Sequence, residues 1–337
     1  MKTIIRQLLA RKLLSAEECH TLFTQLEHSD ELQQAVVFSL LAAKGEAFPE
    51  IMATRAFLLQ QSTIDASCLK ACPDNMIDLV GTGGDGSSTF NISTAASLVV
   101  ASCGVYVAKH GGSRSTGICG SADVITALGI PTYQQASDII RSLHQHYYAY
   151  LRAPYFNEFL NTMGSVRKQL DFPTIFNILG PLVNPLRPKR QVIGVYRKDL
   201  VPVVAAVLKE TGSIHAMVLH AAEGLDELSV SGPTYLAEVR PEGIQEYVLC
   251  PQTLGFTSST LQEVSGGTSE INAAIIQDVF SGKLAGAKRD IVVLNAAAGL
   301  LVADKVSSLM EGIAMAREAI ISGKTLALLQ RLQGEKA

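Results

Sequence analysis

The feature that most constrains this chain is a junction near residue 80. The apolar run Met76–Val80 stops at Gly81, and Gly81-Thr82-Gly83-Gly84-Asp85-Gly86 then leads towards a helix opening at Asn91-Ile92-Ser93-Thr94. Four of those six residues are glycine, which reaches backbone conformations closed to other residues and leaves its amides uncovered. Uncovered amides beside a helix N-terminus make a seat for an anion. A buried strand, a glycine turn and a helix in succession commit the chain to α/β architecture. The natural occupant is a phosphate or diphosphate. The competing reading is a tight strand-to-helix turn without a ligand, and the Asn, Ser and Thr groups at the helix start weigh against it. We do not read the segment as a dinucleotide fingerprint, nor as a P-loop, since no Gly-Lys-Ser/Thr follows.

The rest of the chain extends this pattern on both sides. Residues 1–70 read as successive helices: Ile4, Ile5, Leu8 and Leu9 recur at helical spacing, and Ser15 with Glu18 forms a capping-box pattern before Cys19–Leu26. Leu32–Ala43 follows, with Gly45 as its stop, and Pro49 opens a fourth helix to about Gln61. After residue 73 strands and helices alternate. Val105–Ala108, Tyr148–Leu151, Val192–Tyr196 and Ala216–His220 read as strands; Ser93–Cys103, Ala122–Leu128, Ile139–Leu143 and Leu200–Glu210 read as helices. Residues 235–249 alternate with period two around Pro241-Glu242-Gly243, which predicts an antiparallel hairpin at a sheet edge. Ile271–Phe280, Ile291–Ala303 and Val306–Ile321 return to helix. The expected fold is a mostly parallel sheet covered by helices on both faces, with a small all-helical unit at residues 1–72 and the α/β unit at 73–337.

Two further segments carry chemistry. Lys109-His110-Gly111-Gly112-Ser113-Arg114-Ser115-Thr116-Gly117 runs on to Gly120-Ser121, again between a strand and a helix. Its cations, hydroxyls and amides suit a second phosphate contact. His110 has two open readings, a proton relay or a cap on a strand end. Asp226-Glu227 follows the strand ending near His220; adjacent carboxylates there suit magnesium, which prefers oxygen ligands and keeps waters. An acidic pair alone is more often solvated surface, and the two glycine loops give this one its weight.

Composition narrows the partners. With 47% hydrophobic residues, 18% charged and a net charge of -3, the 337-residue chain can bury a substantial core and carries no basic block for nucleic acid or an anionic membrane. The first residues, MKTIIRQLLARKLLSAEE, interleave charges with apolar residues, as an amphipathic helix does and a signal peptide does not. A cytoplasmic location is expected. Cys68 and Cys72 lack a second pair and are read as free thiols rather than a zinc site.

The ordered motifs GTGGDGSSTFNIST, KHGG…GSADV, PTIFNILGPLVNP, VIGVY and GLDELS resemble those of the anthranilate phosphoribosyltransferase family over nearly the whole chain. The resemblance implies the nucleoside phosphorylase/phosphoribosyltransferase type of fold, a helical unit that borrows residues from about 165–185, and a homodimer formed through it. It implies transfer of the phosphoribosyl group from 5-phosphoribosyl-1-diphosphate to the amine of anthranilate, with Mg2+ and without a protein nucleophile. Gly81, Gly84, Asp85, Thr89, Asn91, Ile92, Ser93, Thr94, Lys109, Arg114, Thr116, Gly117 and Ser121 then match the diphosphate-donor site. Gly81, His110, Gly112 and Arg167 match the acceptor site, and Ser93, Asp226 and Glu227 the magnesium ligands. The chain departs from the family where Lys-His-Gly-Asn-Arg becomes Lys109-His110-Gly111-Gly112-Ser113, and where Asn157 and Thr162 stand in place of common histidines. Two readings of that departure stay open, drift around an unchanged acceptor and a different aromatic acceptor; a relative that binds the donor without turnover is the rival of another class. A nucleoside phosphorylase is disfavoured by GTGGDG and NIST.

Overall fold

A computed structural model describes residues 1–113 and 119–335. Five helices come first: α1 Lys2–Leu9, α2 Ala16–Glu27, α3 Glu31–Lys44, α4 Phe48–Gln60 and α5 Ala66–Ala71. Ser15 caps α2 as its sequence predicts: its Oγ accepts the Glu18 N–H at 3.2 Å, and Glu18 Oε2 accepts the Ser15 N–H at 2.8 Å. Gly45 ends α3 with φ +88°, a conformation glycine reaches without steric cost.

The α/β part alternates β1 Ile77–Gly81, α6 Ile92–Ser102, β2 Val107–Gly111, α7 Ser121–Ala127, α8 Ala136–His146 and β3 Tyr148–Arg152. Three short helices, α9 Ala153–Phe156, α10 Glu158–Thr162 and α11 Gly164–Leu170, precede α12 Ile175–Leu182, β4 Arg190–Gly194, α13 Leu200–Glu210 and β5 His215–Ala221. The hairpin β6 Thr234–Arg240 and β7 Gly243–Leu249 follows, then α14 Ser269–Phe280, α15 Ala287–Val302, α16 Leu309–Ile321 and α17 Lys324–Gln333. The sheet order is β3-β2-β1-β4-β5-β6-β7. The first five strands in that order are parallel, and the hairpin adds two antiparallel ones. Chain order reverses between β1 and β4, and ligands of open α/β sheets bind outside the carboxyl ends of the strands at such a point. Gly81 closes β1 there.

Alternation of side chains divides the core between the two sheet faces. Ile77, Leu79, Val192, Met217 and Leu219 pack with α6, α15, α16 and α17. Ile193, Val195, Ala216 and Val218 join a core that includes α12, α13 and the N-terminal helices. Each face of the sheet therefore carries its own apolar layer under helices. Small residues permit the closest layer: a Cβ on Gly299 of α15 would lie 2.8 Å from both Leu79 Cδ2 and Val100 Cγ2.

Some expectations shift. The second strand runs Val107–Gly111, not Val105–Ala108, because buried Lys109 and His110 continue it although they are polar. The fourth begins at Arg190 and ends at Gly194, ahead of the expected Tyr196. Val306 lies outside α16, whose start is set by Ser308 Oγ accepting the Glu311 N–H. The GTGGDG spacing does satisfy G-x-G-x-x-G letter for letter, but five residues separate Gly86 from the first residue of α6, Ile92. In the dinucleotide motif the last glycine packs the helix against the strand, so the resemblance ends at spacing.

The end of β4 is sealed by main chain: a Cβ on Gly194 would sit 1.6 Å from the Asp226 carbonyl oxygen. Gly194→Ala is expected to lower unfolding stability by about 1–3 kcal/mol, read from the urea midpoint. Gly112→Ala, where an added Cβ meets nothing within 4 Å among the described residues, should leave the midpoint unchanged. Equal midpoints for the two variants would contradict this packing.

Candidate active site

The loops at the carboxyl ends of β1, β2 and β3, the segment after β5, and α11–α12 enclose a cleft of about 860 Å3. Of the residues singled out from sequence, Gly81, Gly84, Asp85, Thr89, Asn91, Ile92, Ser93, Lys109, His110, Gly112, Ser121, Arg167, Asp226 and Glu227 all line it. Thr94 does not: its side chain is fully buried in the first turn of α6, leaving only its N–H among the helix-start donors. Arg114, Thr116 and Gly117 lie outside the described residues.

The acidic pair is drawn onto the glycine loop. Asp226 Oδ2 accepts the Gly83 N–H at 2.6 Å, and Glu227 Oε1 accepts the Ser93 N–H at 3.0 Å. Gly81 is what allows the approach, since a Cβ there would lie 2.3 Å from Asp226 Oδ2. Glycine at 84 serves both conformation and space: its φ is +78°, and an added Cβ would come within 2.8 Å of Pro173 Cγ. Thr82 anchors the same loop. Its N–H donates to Gly194 O at 3.0 Å, its carbonyl accepts Asn177 Nδ2 at 3.1 Å, and its Oγ1 accepts the Tyr196 N–H at 3.0 Å.

Burial pushes the Asp226 carboxyl up to about 7, with Asp85 adding repulsion, and pushes Glu227 up to about 8, with Asp226 adding repulsion. Among the described residues neither forms a salt bridge. No three His, Cys, Asp or Glu side chains among them are arranged to hold a metal unaided. Two or three carboxylates with a serine hydroxyl, all oxygen donors, are nevertheless the set that suits magnesium, whose remaining positions go to water and substrate phosphates.

Lys109 lines the cleft from beneath, with its side chain buried. It is 1% exposed, and its ammonium donates to Leu79 O at 2.5 Å and Ser93 Oγ at 3.2 Å. Burial pushes its pKa down, and the charges of Asp78, Glu227 and Asp226 oppose that. Lys109 therefore underpins the acidic side of the cleft and orients Ser93. His110 is settled by its ring: Nδ1 lies 3.1 Å from Gly180 O, an acceptor only, so Nδ1 carries the proton. Burial lowers its pKa to about 4, which keeps the imidazole neutral near pH 7. It caps a helix end rather than a strand end.

The second loop is tied down at its edges. Ser121 Oγ and Tyr150 OH are 2.8 Å apart, and Gly112 O accepts the Ala122 N–H at 3.1 Å. Asn91 commits its side chain to structure, donating to Cys119 O at 3.4 Å and accepting from Asn272 Nδ2 at 3.0 Å. On the opposite side, the half-buried Arg167 stacks over Phe176 with 5.4 Å between guanidinium carbon and ring centroid. Its Nε is buried without a hydrogen-bond partner, and burial lowers its pKa to about 10. A desolvated, unpaired guanidinium facing a cleft is a seat for a carboxylate. Sequence reasoning missed Arg152, whose Nη2 donates to Ser113 Oγ at 3.1 Å, and Asn177 and Asp78, which brace the loops. For Asn177 the available signal was its place three residues after Thr174, a capping-box spacing.

Comparison with known proteins agrees with this geometry. Residues 73–326 match the family model described as "Glycosyl transferase family, a/b domain". The anthranilate phosphoribosyltransferase of Symbiobacterium thermophilum is 37% identical over 99% of this chain and 97% of its own length. The crystal structure of anthranilate phosphoribosyltransferase from Thermus thermophilus superposes with a TM-score of 0.85 at 31% identity, covering 98% of each chain. The Saccharomyces cerevisiae enzyme in complex with PRPP and Mg superposes with a TM-score of 0.84 at 27% identity, covering 98% of this chain and 96% of that one. Another structure of the yeast enzyme is in complex with 4-fluoroanthranilate. This chain belongs to the anthranilate phosphoribosyltransferases, built on the α/β domain of the glycosyl transferase family.

Proposed function

We propose that this protein transfers the phosphoribosyl group of 5-phosphoribosyl-1-diphosphate to the amine of anthranilate, releasing diphosphate. The observation that carries the reading is the pairing, in one cleft, of an amide-rich loop braced by buried carboxylates with Arg167, whose buried Nε has no hydrogen-bond partner among the described residues. The first suits a magnesium diphosphate and the second an aromatic acid.

Gly81, Gly84, Asp85, Thr89, Asn91, Ile92, Ser93 and Thr94 would cradle the donor, with Ser121 and the loop from Lys109 at its other end. Asp226, Glu227 and Ser93 would hold Mg2+, which when bound neutralises charge on the departing diphosphate. The aryl amine is a weak nucleophile, so the barrier falls chiefly through stabilising the leaving group and fixing the approach. The chain's own contribution is accordingly donors and position. The loop amides and the N-terminal end of α6 face the leaving oxygens, and Arg167 orients the acceptor through its carboxylate. His110, neutral and bonded to Gly180 O, offers Nε2 only as an acceptor. In the acceptor region Gly112 leaves open space, which favours a tolerance for ring-substituted anthranilates as a second reading. Exposed Leu9, Leu13 and Leu32, at 65%, 58% and 74%, support homodimerisation through the helical unit. No helix among the described residues is long and apolar enough to cross a membrane, and we propose that the enzyme acts in the cytoplasm.

The direct test is anthranilate fluorescence followed with protein, magnesium and 5-phosphoribosyl-1-diphosphate. Loss of signal requiring all components is expected, and unchanged fluorescence would overturn the reaction. Arg167→Gln should raise KM for anthranilate at least about tenfold, the scale of one charge-assisted contact, with KM for the donor unaltered; equal effects on both would remove Arg167 from the acceptor side.

The carboxylate pair predicts a pH effect of definite sign. Asp226 and Glu227 rise from ordinary values of 3.8 and 4.5 to about 7 and about 8, so the folded protein holds protons that the unfolded chain has released. Their contribution to stability is present at low pH and is lost as pH climbs from about 4 to 8. Cation binding needs the ionised forms. The rise in Tm caused by magnesium with the donor is therefore expected to be larger at pH 8 than at pH 6, and Glu227→Gln should flatten the difference. A shift independent of pH in the unaltered protein would refute the assignment.

A further inference from the structure

A second recess, of about 230 Å3, lies at the amino-terminal end of β4, between α4 and the carboxyl-terminal ends of α12 and α13. Its charged wall is Arg55, Arg187 and Lys189, and among the described residues no carboxylate lines it. Among the described residues, none of these three cations forms a salt bridge. Like charges gathered in a concave, partly buried place repel one another unless an anion is shared between them.

The arrangement is held in place rather than incidental to a loose surface. Arg55 is half-buried and fixed through its Nε, which donates to Leu182 O at 2.9 Å; this leaves the other end of its guanidinium free. Burial and the charge of Arg187 both push the Arg55 guanidinium down. Arg187 has a left-handed backbone, φ +54°, and its N–H is locked to Asn184 O at 3.0 Å. Non-glycine residues kept in that conformation gather at ligand clamps. Lys189 is tethered by Thr211 O at 2.9 Å, and buried Ser213 completes the wall.

We propose that this recess is a second anion-binding site, separate from the cleft, that takes a small phosphate-type oxyanion, free or as a monoester. The planar fork of Arg55 and the exposed guanidinium of Arg187 suit bidentate contacts to tetrahedral oxygens, with Lys189 as a point charge. The volume admits an ion or a compact ester and excludes a nucleotide, since pockets for drug-sized ligands begin at about 300 Å3.

The test uses the full-length protein with magnesium and saturating donor, titrated with inorganic phosphate or glycerol phosphate against chloride of equal ionic strength, and read by thermal shift and calorimetry. A saturable stabilisation beyond that of chloride is expected. Because Arg187 and Lys189 are exposed, Arg187→Ala with Lys189→Ala should leave the fold intact while weakening the apparent Kd at least about tenfold. Phosphate held in the catalytic cleft would survive these substitutions, so the comparison of variants isolates the recess whatever the cleft binds. Tighter binding of glycerol phosphate identifies a monoester as the ligand, and tighter binding of phosphate identifies the free ion. Stabilisation no greater than that of chloride, or identical in the double variant, would overturn the proposal.

Discussion

The close approach of the segment after β5 to the ends of β1 and β4 is the contact on which the cleft depends. Asp226 lays its carboxylate over Gly81 and its carbonyl over Gly194, and the two glycines terminate neighbouring strands at the point where the sheet changes direction. Without both, the segment would ride higher, and the Gly83 and Ser93 amides would lose their carboxylate partners. Backbone against backbone is a contact that side-chain rearrangement cannot relieve. The acids are thus placed by the sheet itself, more firmly than a surface loop could place them.

Charge in the cleft is incomplete without its ligands. Asp78, Asp226 and Glu227 surround the buried ammonium of Lys109, and burial drives all three carboxyl groups towards protonation. A divalent cation carrying diphosphate would relieve the anions and fill the amides at once, which ties donor and metal binding into one event. Helix α12 is subject to a similar demand. Its carbonyls at Gly180, Pro181 and Leu182 accept from His110, Gln191 and Arg55 respectively, so residues of β2, β4 and α4 satisfy the last carbonyls of the helix.

Much of this was legible from sequence, for identifiable reasons. The glycine loop, the alternating strands and the Asp226-Glu227 pair obey local rules of backbone freedom and periodicity. The second strand was cut short because Lys109 and His110 look like the end of an apolar run; only the tertiary site explains why such polar residues stay buried. That Lys109 also braces Ser93 was not legible, because it depends on a contact across sixteen residues of chain. Helices α9–α11 were not anticipated because each is short and takes its stability from packing rather than propensity. Helix α17 also went unread, although Leu328, Leu329 and Leu332 form a buried stripe. The Arg55–Arg187 recess could not be seen at all: its members come from α4 and the approach to β4, with no motif linking them.

Gly112, at the edge of the cleft, has among the described residues no neighbour within reach of an added Cβ, and its backbone is not left-handed. The scaffold therefore imposes nothing on it, in contrast to Gly81 and Gly194. Such a site is evolutionarily inexpensive: one codon can narrow or widen that end of the cleft while the loops fixed by main-chain contacts stay as they are. Selectivity and catalysis in this fold are thereby free to change on separate clocks.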